Sequence, residues 1–206
     1  TAMGAATVSL ALGLQHAGKH GRVITVDRGV PRAGGGNPAS YRDRVKANLR
    51  HFGAEDRVEL FAGEAADAVK VVPASAPISV LMIDADGAID RDLRTFFDRV
   101  IPGGDIVIDD CLDVVRLHRS GLFAVRVDAK MRLTHLLLSY FKQKGLLSEG
   151  MQIKDTYFGK KLLELSQTDI STEAILDIYR RMTFSSGRLV PAFADRTAIV
   201  RLMNLI

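Results

Sequence analysis

Three aspartates in this chain are spaced to do chemistry together. Asp84 ends the run ISVLMID (78–84), and Asp109 and Asp110 end DIVIDD (105–110). Each run is a short, continuous apolar stretch of the kind that forms a strand covered on both faces. If the two strands are neighbours in a parallel sheet, three carboxylates converge at one rim. Like charges that close raise one another's pKa unless a cation intervenes. An all-oxygen set with room for water suits Mg2+, or a related hard ion such as Ca2+ or Mn2+. The plainer reading is that Asp110 caps a turn and that Asp84 or Asp86 starts a loop. A further acid, Asp27, ends GRVITVD (21–27) after a Gly-led turn and helix. A carboxylate there can accept two hydrogen bonds from ribose hydroxyls of a nucleotide-type cofactor, or it can cap a loop. Glu64, in AGEA, follows the next strand and could contact an adenine edge.

These residues need a scaffold of alternating strands and helices, which argues for a parallel α/β sheet. Helices are expected at about 5–17, 41–53, 65–72, 90–100, 130–145 and 171–182, and strands at 21–27, 57–63, 78–84 and 105–110. Val45, Leu49 and Phe52 fall on one face of the second helix, and Gly53 stops it. Pro102-Gly103-Gly104 is expected to end the fourth helix, and Ser171 or Asp169 to cap the last. RLVPAF and RTAIVRLM (188–203) read as an antiparallel hairpin. Residues 112–168 break the rhythm and read as an insertion with irregular structure to about 168. The whole, 1–206, is expected to be a single domain: a core at 1–111, the insertion at 112–168, and the last helix and hairpin at 169–206.

The 206 residues can bury a substantial core. No apolar stretch approaches the roughly 18 residues of a membrane span, and VSLALGL lacks the basic flank of a signal peptide. The single Cys111 excludes an internal disulfide and suits a cytoplasmic setting. Net charge is +4, but between Arg116 and Leu165 ten Lys/Arg face four Asp/Glu, an excess of six. A solvated surface explains this most simply. An anionic small molecule is the sharper reading, and no zinc-finger spacing or RNA-binding aromatic signature supports a nucleic acid.

TAMGAATVSLALGL, GRVITVD, AEDRVELFAGEAADAV, VLMIDADG and PGGDIVIDD stand in the order and spacing of class I S-adenosylmethionine-dependent methyltransferases. Within that superfamily the chain most resembles the cation-dependent O-methyltransferases of the catechol and caffeoyl-CoA type. The likeness covers about residues 1–112 and resumes in the final hairpin. It implies a Rossmann-like, three-layer αβα fold, mostly parallel with a C-terminal antiparallel hairpin. It also implies S-adenosylmethionine as cofactor and methyl transfer to a hydroxyl of a small phenolic, sugar or natural-product acceptor. Thr1, Ala2 and Gly4 would form the turn at the methionine end, and Asp27 with Arg28 would lie at the ribose. Gly63, Glu64 and Ala65 would lie beside the adenine, with Asp84 at the rim of the cofactor site. Asp84, Asp109 and Asp110 match the family's metal ligands, the third being usually Asn.

Two departures stand out. The family places a Lys, or a His in sugar-modifying relatives, just after the Asp-Ala-Asp stretch, where it helps deprotonate the substrate; this chain has Gly87. Asp86 or His118 could take over as base beside Asp84. The family's first strand, ending in an acid-x-Gly element, is also absent, so an upstream strand is expected to precede Thr1. Leu133, Leu136, Leu137, Tyr140 and Phe141 form an apolar face that could serve an acceptor lid and a homodimer interface. A methyltransferase-like binding subunit and an NAD(P)-dependent oxidoreductase are the rival readings. The latter lacks a Gly-x-Gly-x-x-Gly and a Tyr-x-x-x-Lys pair. No Asn/Asp-Pro-Pro-Tyr motif points to nitrogen methylation.

Overall fold

The alternation read from the sequence is present in the computed structural model, which describes residues 4–27, 38–84, 86–119, 125–162 and 170–186. The chain divides into two compact units, Thr1–Ala76 and Pro77–Ile206, each carrying a parallel strand pair.

In the first unit, α1 (Ala5–His16) starts from Gly4, whose φ of 82° is left-handed. A Cβ on Gly4 would stand 3.0 Å from Val45 Cγ1, so both conformation and close approach require glycine. The small residues of α1 let it lie close on β1 (Val23–Asp27), and Thr7 Oγ1 donates to Thr25 Oγ1 at 3.3 Å. β1 runs parallel to β2 (Val58–Ala62), with Asp27 opposite Ala62. Between them α2 (Pro38–His51) buries Val45 and Leu49, as its periodicity predicts. Phe52 lies beyond the last helical residue and is half exposed instead. α3 (Ala65–Ala68) is a single turn, shorter than expected.

In the second unit, β3 (Ile78–Ile83) runs parallel to β4 (Val100–Ile108), with Ile83 opposite Ile108. The intervening α4 (Ile89–Phe96) stops earlier than the sequence suggests, and a 3-10 turn at Phe97–Arg99 leads straight into β4. Pro102-Gly103-Gly104 therefore does not end a helix. It sits inside the strand, where the β3–β4 register shifts, as glycine and proline do at a bulge.

The described residues of 112–168 carry more regular structure than their sequence suggests. β5 (Arg116–Arg119) and β6 (Val125–Asp128) form an antiparallel pair, followed by α5 (Lys130–Gln143). β7 (Met151–Ile153) and β8 (Thr156–Lys160) form a hairpin that extends the sheet in the order β3-β4-β8-β7, with β8 antiparallel to β4. Its tight turn places Lys154 at φ 56°, a conformation glycine usually supplies, so no turn signature marks it. Leu137 and Phe141 of α5 are fully buried with Ile106 and Ile108 of β4, while Leu133 and Tyr140 pack against the same core. Four residues of the face expected to serve a lid or interface, Leu133, Leu137, Tyr140 and Phe141, thus pack into the unit's own interior. α6 (Thr172–Ser186) adds Ile175 to that core. Ser171 caps it as expected, its Oγ accepting from the Ala174 N–H at 3.3 Å. The hairpin expected at 188–203 lies outside the described residues.

Candidate active site

The first unit gathers its candidate residues at the carboxyl ends of two parallel strands. Asp27 closes β1, and its carbonyl accepts from the Gly63 N–H at 3.2 Å, tying the end of β1 to the turn after β2. Glu64 follows that turn at the N-cap position of α3, and Ala65 is the first residue of the helix. Gly4 opens α1, whose first amides have no partner within the helix and suit an anionic group. Thr1, Ala2 and Arg28 lie outside the described residues.

The second unit satisfies the condition set by its sequence. β3 and β4 are neighbours, and the Asp109 N–H donates to the Ile83 carbonyl at 3.0 Å, which sets Asp84 and Asp109 side by side at the strand ends. Their partners are not those expected. Thr156 of β8 donates its hydroxyl to Asp109 Oδ1 at 2.6 Å. Asp110 adopts a left-handed φ of 54°, which Asp tolerates better than most residues. Its Oδ2 lies 2.7 Å from Lys130 Nζ, and the same ammonium is 3.4 Å from Asp84 Oδ1. Lys130 is the first residue of α5, with its amide held by Asp128 Oδ1 at 3.0 Å.

Gly87 makes this arrangement possible. Its φ is 93°, and a Cβ there would lie 2.8 Å from the Lys130 carbonyl oxygen and 3.2 Å from Lys130 Cγ. The position where the resembled family keeps its lysine is therefore closed to any side chain by the backbone of another lysine. The metal ligation expected of Asp84, Asp109 and Asp110 does not fit this geometry. An ammonium already bridges two of the carboxylates. Among the described residues no group of three His, Cys, Asp or Glu side chains is disposed to hold a metal ion.

One of the two candidate bases, Asp86, is held by neighbouring groups. Arg91 grips both oxygens of Asp86, at 3.1 and 3.2 Å, and the Ala88 N–H adds a third bond at 3.3 Å. Burial works to raise the Asp86 carboxyl, but these hydrogen bonds and the Arg91 charge together hold it below its ordinary value. A carboxylate so held is a weaker base and anchors the loop leading to α4. His118 stands on β5 opposite Arg126 of β6. Cys111 is fully buried beside the acids, and burial pushes its thiol up, away from the nucleophilic form.

Part of the basic surplus of 116–165 is paired locally. Lys142 pairs with Glu149 at 2.7 Å, Lys160 with Asp105 at 2.6 Å and Arg132 with Asp113 at 3.5 Å. Lys161 is buried, and its ammonium donates to the carbonyls of Phe97 at 2.8 Å and Val100 at 2.9 Å. Burial lowers its pKa. It fixes the entry to β4.

Sequence reasoning missed Lys130 and Thr156 as members of the rim. A trace of Lys130 was present. A cation at the first position of a helix opposes the helix dipole and needs acids nearby, and the helix expected at 130–145 began with one. Thr156 left no trace, because the hairpin carrying it was not foreseen.

Comparison with known proteins bears on this geometry. The sequence profile of a family described as "Methyltransferase domain" matches residues 1–111. A search of curated proteins returned no match. Among solved structures, cofactor-bound Rv0187 from MTB aligns at a TM-score of 0.56 and 22% identity, over 77% of this chain and 68% of that one. An O-methyltransferase from Bacillus cereus in complex with SAH aligns at 0.53 and 19% identity, over 76% and 68%. The O-methyltransferase TomG from Streptomyces achromogenes, involved in tomaymycin synthesis and in complex with SAM, aligns at 0.51 and 16%, over 70% and 63%. These likenesses support the α/β fold expected from the sequence, with its parallel central strands. The nicotinamide reading gains nothing from them. Among the described residues no helix is long and apolar enough to cross a membrane.

Proposed function

We propose, from the premise that the chain belongs to the methyltransferase-domain family, that it transfers the methyl group of S-adenosylmethionine to a hydroxyl of a small molecule. The observation that carries this reading is a coincidence of two kinds of evidence. The family profile spans residues 1–111, and within that span the acids Asp27, Glu64, Asp84 and Asp109 all stand at or just beyond the carboxyl ends of parallel strands. Open α/β sheets bind their ligands outside those ends.

In this reading Asp27 accepts from the ribose hydroxyls, and Gly63, Glu64 and Ala65 flank the adenine. The amides that follow Gly4 meet the methionine carboxylate, with Thr1, Ala2 and Arg28 completing the set. The acceptor's oxygen lone pair forms the new bond to the methyl carbon. The carbon–sulfur bond breaks with its electron pair left on sulfur, giving S-adenosylhomocysteine, and the hydroxyl proton is released. Oxygen as the methylated atom is supported by the two O-methyltransferases among the structural neighbours and by the lack of an amino-group methylation motif. A hydroxylated acceptor, action as a homodimer and a cytoplasmic location are parts of the same proposal.

The test is calorimetric titration with S-adenosylmethionine, followed by a screen of hydroxylated metabolites for methyl transfer from the labelled cofactor. Binding with turnover of a phenol or polyol supports the reading, and absence of cofactor binding refutes it. A binding-only role is the second reading. It is favoured by the engagement of Asp86 with Arg91, and of Asp84 and Asp110 with Lys130. Cofactor binding without turnover across the screen would select it.

A further inference from the structure

We infer that the ammonium of Lys130 is the resident cation of the second rim and stands where a divalent metal would otherwise be held. The inference rests on the methyltransferase reading only for what the rim is used for; the occupancy itself rests on this chain's own geometry.

Four observations converge. First, Lys130 Nζ bridges Asp110 Oδ2 at 2.7 Å and Asp84 Oδ1 at 3.4 Å, and all three side chains are about four-fifths buried, with 21%, 18% and 21% exposed for Lys130, Asp110 and Asp84. Charge pairs shielded to that degree are screened far less than those in open water. Second, Asp110 takes a left-handed backbone conformation, which costs free energy, while presenting its carboxylate to that ammonium. Third, the Thr156 hydroxyl donates to Asp109 Oδ1 at 2.6 Å, and among the described residues no three acids are disposed to hold one ion. Fourth, Gly87 has room for the Lys130 backbone only because it lacks a Cβ, so a lysine at position 87 and Lys130 at this place exclude each other.

A hard divalent ion takes six to eight oxygen donors at about 2.0–2.6 Å, with one or more carboxylates among them. Two of the three carboxylates here already neutralise an organic cation. Admitting the metal would require expelling the ammonium from a site it shares with both. Lys130 is thus a positioning residue: it holds Asp84 and Asp110 together. Its ammonium faces them at 3.4 and 2.7 Å.

Mn2+ titration followed by electron paramagnetic resonance tests this on the whole chain after treatment with a chelator. Wild type is expected to leave millimolar Mn2+ in its free, six-line form. Lys130→Met removes the ammonium but keeps most of the stem, and is expected to bind one Mn2+ with affinity raised at least about tenfold. A purely structural role for Lys130 would produce no such gain. Submillimolar binding by wild type that is lost in Asp109→Asn overturns the inference. So does a Lys130→Met chain that is folded by circular dichroism and gains no affinity. The wild-type titration needs no variant, so it decides the matter alone if Lys130→Met does not fold. S-adenosylmethionine titration of the same chelator-treated protein reports separately. Its failure refutes the methyltransferase reading and leaves the Mn2+ outcome as it stands.

Discussion

Both units end a pair of parallel strands in acids, β1 and β2 in Asp27 and Glu64, β3 and β4 in Asp84 and Asp109, and at the second rim an ammonium lies against two of them. At the first rim the Gly63 amide is tied to the Asp27 carbonyl. The second is a charge network: Lys130 between Asp84 and Asp110, Thr156 on Asp109, and Arg91 on Asp86. Strand topology alone makes both look like ligand-binding rims. The second is shaped by side chains delivered from elsewhere in the chain, from α5 and from the β8 strand. A row of acids at a sheet edge therefore identifies a binding edge, not a metal.

The comparison breaks most readily at Gly87. Gly87→Ala places a Cβ against the Lys130 carbonyl in a left-handed conformation, and the second unit is expected to lose about 2–4 kcal/mol, measured by urea unfolding. A neutral result would mean that α5 is free to shift and that Lys130 is not fixed. Next is the first rim. Asp27→Asn is expected to weaken S-adenosylmethionine binding by about tenfold to a hundredfold, since a hydrogen bond to a charged group contributes roughly 1.5–3 kcal/mol. Unfolding midpoints should move little. Thr156→Val removes the hydroxyl that holds Asp109 and is expected to cost about 1–2 kcal/mol of stability without altering cofactor affinity.

The smallest effect belongs to Asp86→Asn, under about 1 kcal/mol at neutral pH, because the Asp86–Arg91 pair is about half exposed. Its pH dependence carries a definite sign. The folded Asp86 carboxyl lies below its ordinary value of 3.8, so its contribution is complete above that value and is lost as pH falls through the folded one. Wild type and variant should converge in acid. Asp92 next to Arg91 works in the opposite direction, since burial raises its carboxyl despite the arginine.

Much of the scaffold was legible because its signals are local. The apolar runs at β1, β2 and β3 and the periodicity of α2 give their elements within a few residues. The acids at the strand ends were legible for the same reason, since position follows from where each run stops. What escaped depended on contacts distant in sequence. The β7–β8 hairpin has only a Lys-Asp turn with no glycine or asparagine to mark it, and it is placed by pairing with β4. The apolar face of α5 was plain, but only packing decides whether such a face meets a partner or a core, and here Leu137 and Phe141 meet Ile106 and Ile108. Lys130 was hidden most deeply. It lies 46 positions from Asp84, and its presence at the rim follows from how α5 begins rather than from any motif. Gly87 was read as the loss of a lysine. In the structure it is the space that another lysine requires.

The most direct test of the account is calorimetric titration of S-adenosylmethionine into the chelator-treated wild type and into Asp27→Asn. Saturable binding at one site in wild type, weakened at least about tenfold in the variant, is the predicted result. No binding in wild type, or equal affinity in both, would contradict the assignment of the first rim to the cofactor.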